Sequence, residues 1–241
     1  MGDTAEQWTA AAEVRPALKD PVLPGTAPSD YQRYLRVPEL LALQPSPQTW
    51  LHRDELLFTV THQTSELWLV LANSEVGEAT RLLAADAVLE ATRLLGRAHR
   101  CLALLTVQLD MLEEMSPAEF AEVRRALGHG SGFDSPGFLD FRRLLPGLGQ
   151  AFLAALARRN LELDDLYLSA TPPMDLYLLA EAMLNIDEQL LTWRDRHLRV
   201  VERAIGAGVH GIQGLPVEAL ADLRDRTVFP QLWEVRNLSL I

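Results

Sequence analysis

The sequence predicts an all-α protein, a helical bundle. Apolar residues recur at spacings of three and four over long stretches, which places them on one face of a helix. No alternating apolar–polar run of useful length marks a strand, and no internal repeat is present. The interruptions fall where Pro and Gly cluster.

Taken in order, residues 1 to 28 carry scattered Pro and Gly with little periodicity, and they are expected to form a poorly ordered arm. Residues 29 to 241 are expected to form one helical domain. From Tyr31 to Gln44, the residues Tyr31, Tyr34, Leu35 and Pro38 fall at helical spacing, and Pro45 and Pro47 end the pattern. A long helix follows from His52 to Leu83; Phe58, Leu67 and Trp68 point to extensive burial. Another runs from Asp86 to Glu114 through Leu94, Leu95, Ala98, Leu102, Leu105, Leu109 and Leu112. Ser116-Pro117-Ala118-Glu119 reads as a capping box with Pro at the first helical position. The helix it starts carries Phe120, Arg124 and Leu127. Gly128 to Gly132 reads as loop. Helical pattern then continues from Pro136 to Gly206, broken at Thr171-Pro172-Pro173. A glycine-rich loop spans Gly206 to Gly214, and a last helix runs from Pro216 to Arg226, ahead of Phe229-Pro230-Gln231-Leu232-Trp233.

Composition narrows the function. The chain has 241 residues, 48% apolar and 23% charged, enough to bury a sizeable core. A formal net charge of −11 argues against nucleic acid and anionic membrane as partners, since both need a basic surface. No run of about 18 apolar residues predicts a membrane span. Cys101 is the single cysteine, so no intrachain disulfide forms. With no signal-peptide pattern at the N-terminus, the expected location is the cytoplasm.

Several chemistries leave no trace: no H-E-x-x-H, no C-x-x-C, no phosphate-cradling glycine loop, and no Glu-x-x-His pairs of a carboxylate-bridged bundle. Six histidines remain. His62 lies four residues beyond Phe58, so both project from one helix face. Such a histidine faces either a polar cofactor or a core partner. His197 shares a face with Trp193, Val200, Val201 and Ala204, surroundings that suit either axial ligation of a haem or a satisfied core histidine. Arg124, one turn after Phe120, is either a carboxylate-binding guanidinium or an ion-paired surface residue.

Taken together, these segments resemble the tryptophan 2,3-dioxygenase family. The matching pieces are Tyr31-Gln-Arg-Tyr34-Leu35, Asp54 to Trp68, Leu112 to Phe120, Val123 to Gly128, Ser131 to Ser135, Trp193 to His197, Arg203 to Gly206 and Phe229 to Trp233, in family order. The resemblance implies haem b, with ferrous iron for O₂ binding and His197 as the proximal ligand. It implies His62 as the distal catalytic residue near the indole nitrogen. Phe58, Phe120, Leu127 and Ser131 would line the substrate, with Arg124 on its carboxylate. Trp193, Val201, Leu109, Ser131 and Gly132 would lie against the cofactor. Tyr31, Tyr34 and Leu35 would reach the neighbouring subunit's site in a homo-oligomer, a tetramer or a dimer. The substrates implied are O₂ and an indole amino acid.

The chain also departs from the family. Val209 stands where a threonine would help hold the substrate ammonium, and valine has no group to accept that hydrogen bond. His129 replaces a proline and Asp134 a glutamine, Leu109 stands at a position that often holds tryptophan, and the stretch between Ser135 and Trp193 is short. Two outcomes stay open at this point: insertion of both oxygen atoms with cleavage of indole C2–C3, or insertion of one oxygen to give an oxindole or hydroxylated product of a modified tryptophan in natural-product biosynthesis. A haem-binding protein without turnover is a third reading.

Overall fold

A computed structural model describes residues 19–206 and 218–238. Among them every regular element is helical, as the spacing predicts. Val209 and residues 1 to 18 lie outside the described residues. By backbone contacts the chain forms two compact units that divide between Gln48 and Thr49.

In the first unit, α1 spans Asp30–Leu35 and α2 spans Val37–Ala42. The single helix expected from Tyr31 to Gln44 is therefore two. Arg36 adopts a left-handed conformation (φ 53°), and Pro38, in the first turn of α2, has no N–H to continue the ladder of α1. The Ser29 side chain caps α1 by accepting from the Gln32 N–H (3.3 Å). Part of the predicted arm is tied down: Val22 and Leu23 donate their N–H groups to Asp30 Oδ1 at 3.0 and 2.8 Å, and Arg33 Nε donates to the Ala27 carbonyl at 2.7 Å. Periodicity could not show these bonds, because they join a loop to a helix start.

The second unit is built on long helices. They are α3 (Glu55–Ala84), α4 (Val88–Val107), α5 (Leu109–Glu113), α6 (Pro117–Ala126), α7 (Pro136–Arg158), α8 (Asp164–Tyr167), α9 (Met174–Ile205), α10 (Glu218–Arg224) and α11 (Pro230–Leu238). Helix α3 packs against α4 and α7, and α4 packs against α9. The core stripe of α3 is Leu69, Ala72, Val76, Ala79 and Leu83, with Ala91 and Ala98 buried on α4. Small residues on both helices let the backbones approach closely. Leu67 and Trp68, expected to be buried, are 53% and 37% exposed, because they lie off that stripe. Cys101 is buried.

Two predicted helices are interrupted. The run from Asp86 to Glu114 begins only at Val88 and breaks at Gln108. The Gln108 amide turns sideways to α3: its Nε2 donates to the Thr61 carbonyl (3.2 Å) and to Ser65 Oγ, while its Oε1 accepts from Thr64 Oγ1 (3.2 Å). The run from Pro136 breaks at Asn160 (φ 53°) as well as at Pro172-Pro173, and no Pro or Gly announces the first break. By contrast the capping box is present as read: Ser116 Oγ accepts from the Glu119 N–H and Glu119 accepts from the Ser116 N–H (2.7 Å).

Two polar anchors fix the bundle. Glu66 of α3 accepts from Ser135 Oγ and from the Gly137 N–H (3.0 Å), so it caps α7 from outside. Asp187 of α9, fully buried, accepts from the Val228 N–H (2.9 Å), the Phe229 N–H (3.0 Å) and the Trp233 indole N–H (3.0 Å). It thereby seats the Phe229-Pro-Gln-Leu-Trp segment, with Phe229 and Leu232 in the core. No helix among the described residues is long and apolar enough to cross a membrane.

Both anchors are testable by urea unfolding. A Cβ on residue 137 would lie 2.7 Å from both Glu66 Oε2 and Leu69 Cβ. Gly137→Ala should therefore cost about 1–3 kcal/mol. Asp187→Asn, which loses charge-assisted acceptance, should cost about 2 kcal/mol.

Candidate functional site

The site gathers where α3, α6 and α9 converge. On α3, Phe58 and His62 stack one turn apart with ring centroids 3.9 Å apart, as the i, i+4 spacing predicts. Phe120 of α6 closes on the same side, 6.3 Å from the Phe58 ring. On α9, Trp193 and His197 stack with centroids 4.9 Å apart and ring planes within 8°. Phe138, in the first turn of α7, packs on Trp193 at 4.4 Å.

His62 is carried by α3 and His197 by α9. The imidazole of His62 is accessible, yet desolvation is the main cause that lowers its pKa, with the Phe58 carbonyl and Glu66 opposing. Its Nδ1 sits 2.8 Å from the Phe58 carbonyl. A carbonyl only accepts, so Nδ1 carries the proton and Nε2 is left as an acceptor. Burial first, and the charge of His62 second, lower the pKa of His197 to about 4. The two imidazoles are therefore near enough to act on each other electrostatically.

These features suit a haem ligand. Among the described residues nothing hydrogen-bonds the His197 ring, and burial keeps it in the neutral form that coordinates iron. The helix that carries it is held in place by α5. Glu113 accepts from Arg196 Nη1 and pairs with Arg203 (2.8 Å), while Arg196 Nη2 also donates to Asp110 (2.7 Å). The hydrogen bond from Arg196 is the largest cause holding the Glu113 carboxyl below the usual range. A second group of ligand-type atoms, from His52, Asp54 and Glu119, lies within 4.8 Å at the starts of α3 and α6. Its members are engaged locally: Glu119 in the capping box, His52 Nδ1 with the Asp54 N–H (3.3 Å).

The remaining predicted residues are placed as follows. Arg124 is half-buried on α6 one turn beyond Phe120, and Leu127 caps that helix. Ser131 caps a 3₁₀ turn over Gly132–Asp134, accepting from the Phe133 N–H (3.3 Å); Gly132 is exposed. Leu109 is buried at the start of α5 and Val201 is half-buried on α9. Tyr31 and Tyr34 are 69% and 78% exposed in the first unit, with Leu35 also exposed. Phe138 and Glu66 went unassigned in the sequence. The signal for Phe138 was the Ser-Pro-Gly start of its helix, which marks a capped and closely packed N-terminus.

The depressed histidines make a pH prediction for the haem-free chain. The folded state binds fewer protons than the unfolded one between pH about 4 and the ordinary histidine value of about 6.5. Stability is thus full above about 6.5 and is lost as pH falls through this window. Denaturation midpoints of His197→Leu should fall less over the same range.

The family model described as tryptophan 2,3-dioxygenase matches residues 22–152, a stretch that includes Phe58, His62, Phe120 and Arg124. The chain is 34% identical to a tryptophan 2,3-dioxygenase of Kineococcus radiotolerans over 98% of this chain and 99% of that protein. It is 33% identical to that of Caulobacter vibrioides, over 86% of this chain and 97% of that protein. With that of Saccharopolyspora erythraea it is 32% identical, over 92% and 97%. The first alignment spans 289 positions, 48 more than this chain has residues, so the chain lacks segments its relative carries. With the histidine and phenylalanine placements above, these matches show that the chain belongs to the tryptophan 2,3-dioxygenase family.

Proposed function

We propose that the chain is a haem-dependent dioxygenase that opens the indole C2–C3 bond of L-tryptophan and inserts both atoms of O₂, giving an N-formylkynurenine-type product. The observation that carries this reading is a pair of imidazoles near enough to interact electrostatically, both with pKa values lowered chiefly by burial, His197 with no hydrogen-bond partner among the described residues and His62 with its tautomer fixed. When bound, haem b supplies the ferrous iron that activates O₂ toward the electron-rich indole.

The chain's own residues do the rest. His197 would hold the iron, with Trp193, Val201, Leu109, Ser131 and Gly132 around the cofactor. His62 Nε2, left as an acceptor, would take the hydrogen bond of the indole N–H and set the ring's orientation. Phe58 and Phe120 would supply flat apolar walls and keep water from the indole. Arg124 would pair with the carboxylate, and Leu127 and Ser131 would close that end. Val209 would face the substrate ammonium without bonding it. A homo-oligomer, a tetramer or a dimer, would let Tyr31, Tyr34 and Leu35 cover a neighbouring site, which fits side chains so exposed in one chain. A cytoplasmic setting fits the one buried cysteine.

Mass spectrometry of the tryptophan product formed under ¹⁸O₂ should show two labelled atoms; a single label would overturn the dioxygenase reading in favour of monooxygenation. Arg124→Ala should raise KM for tryptophan about 10- to 100-fold. It should leave the KM of a carboxylate-free indole unchanged. His197→Ala should lose the Soret band of the haem-supplied protein.

A further inference from the structure

Three aromatic rings stand in series between α7 and α9. Phe138 of α7 packs on Trp193 of α9 at 4.4 Å, and Trp193 lies parallel to His197 at 4.9 Å with an 8° angle between planes. Trp193 and His197 are four residues apart on one helix, so their stacking is a local consequence of helix geometry. What holds the stack is not local. Phe138 belongs to another helix, and its position follows from Gly137, whose N–H donates to Glu66 and whose carbonyl accepts from Asn73 Nδ2 (3.1 Å). Both partners lie on α3, the helix that carries His62. Among the described residues nothing hydrogen-bonds the His197 ring, and what they offer to fix its rotation is the stacking on Trp193. A histidine without such a partner turns freely about χ2 unless packing stops it.

We propose that Trp193, backed by Phe138, is the positioning residue for His197: the flat stack sets the plane of the imidazole in place of the hydrogen-bonded acceptor that orients most metal-bound histidines. This rests on the reading of His197 as the haem ligand. Glu66 and Gly137 then act at a distance, because they set where Phe138 stands. One cluster thereby ties the helix of the distal histidine to the orientation of the proximal one.

The test uses the full chain with Trp193→Leu, Trp193→Phe and Phe138→Leu, none of which removes a buried polar group. In the haem-loaded ferrous protein, resonance Raman should show the iron–histidine stretching band shifted and broadened in Trp193→Leu and near its native place in Trp193→Phe. Haem loss to apomyoglobin should be about 10-fold faster in Trp193→Leu, with Phe138→Leu between it and wild type. A native band together with native haem loss in Trp193→Leu overturns the proposal. In the same chain before haem loading, the Trp193 ring current should move the His197 ring-proton resonances upfield, and Trp193→Leu should abolish that shift. Absence of the shift in wild type refutes the stack itself. If the shift is present but His197→Ala leaves the haem spectrum unchanged, the ligand reading fails and this role with it, while the stack stands.

Discussion

The carboxylate of Glu66 is the interaction on which the rest of the site depends. One oxygen accepts from the Ser135 hydroxyl and the other from the Gly137 N–H, which fixes the start of α7 against α3. The approach is so close that residue 137 has no room for a Cβ. With α7 so placed, Phe138 reaches Trp193, and Trp193 lies flat on His197. An acidic residue one turn from His62 thus bears on the packing around His197. Its charge also opposes the desolvation of His62, so the same group has a structural and an electrostatic part.

Polar side chains do comparable work elsewhere. Gln108 gives up the continuity of one helix to bond three residues of α3, and that break redirects the chain toward α5. Helix α5 then grips Arg196 and Arg203, either side of His197, through Glu113. Asp187, fully buried, seats the C-terminal segment by accepting two backbone N–H groups and one indole N–H. Leaving any of these donors unpaired would cost more than the pairing gains, so each anchor specifies position more than it adds stability.

Helix existence and type were legible in the sequence, because periodicity reports a local property of the chain. The capping box at Ser116 and the Phe58–His62 pair were legible for the same reason: their partners lie three and four residues away. Helix boundaries at Arg36, Gln108 and Asn160 were not. Arg36 and Asn160 take left-handed conformations with no glycine to mark them, and Gln108 is fixed by bonds to residues more than forty positions back. Leu67 and Trp68 misled because hydrophobicity says a side chain favours burial, not that a partner helix lies on its side.

By itself the sequence determined an all-α chain, the face shared by Phe58 and His62, and the family to which both histidines belong. These follow from spacing along one helix and from the order of short motifs. Tertiary structure alone decided that His62 comes near enough to His197 to act on it electrostatically, that burial lowers the pKa of both, and that Phe138 and Glu66 set the packing behind His197. Desolvation and long-range stacking depend on which helices meet, and residues 66, 138 and 193 meet only once the bundle has closed.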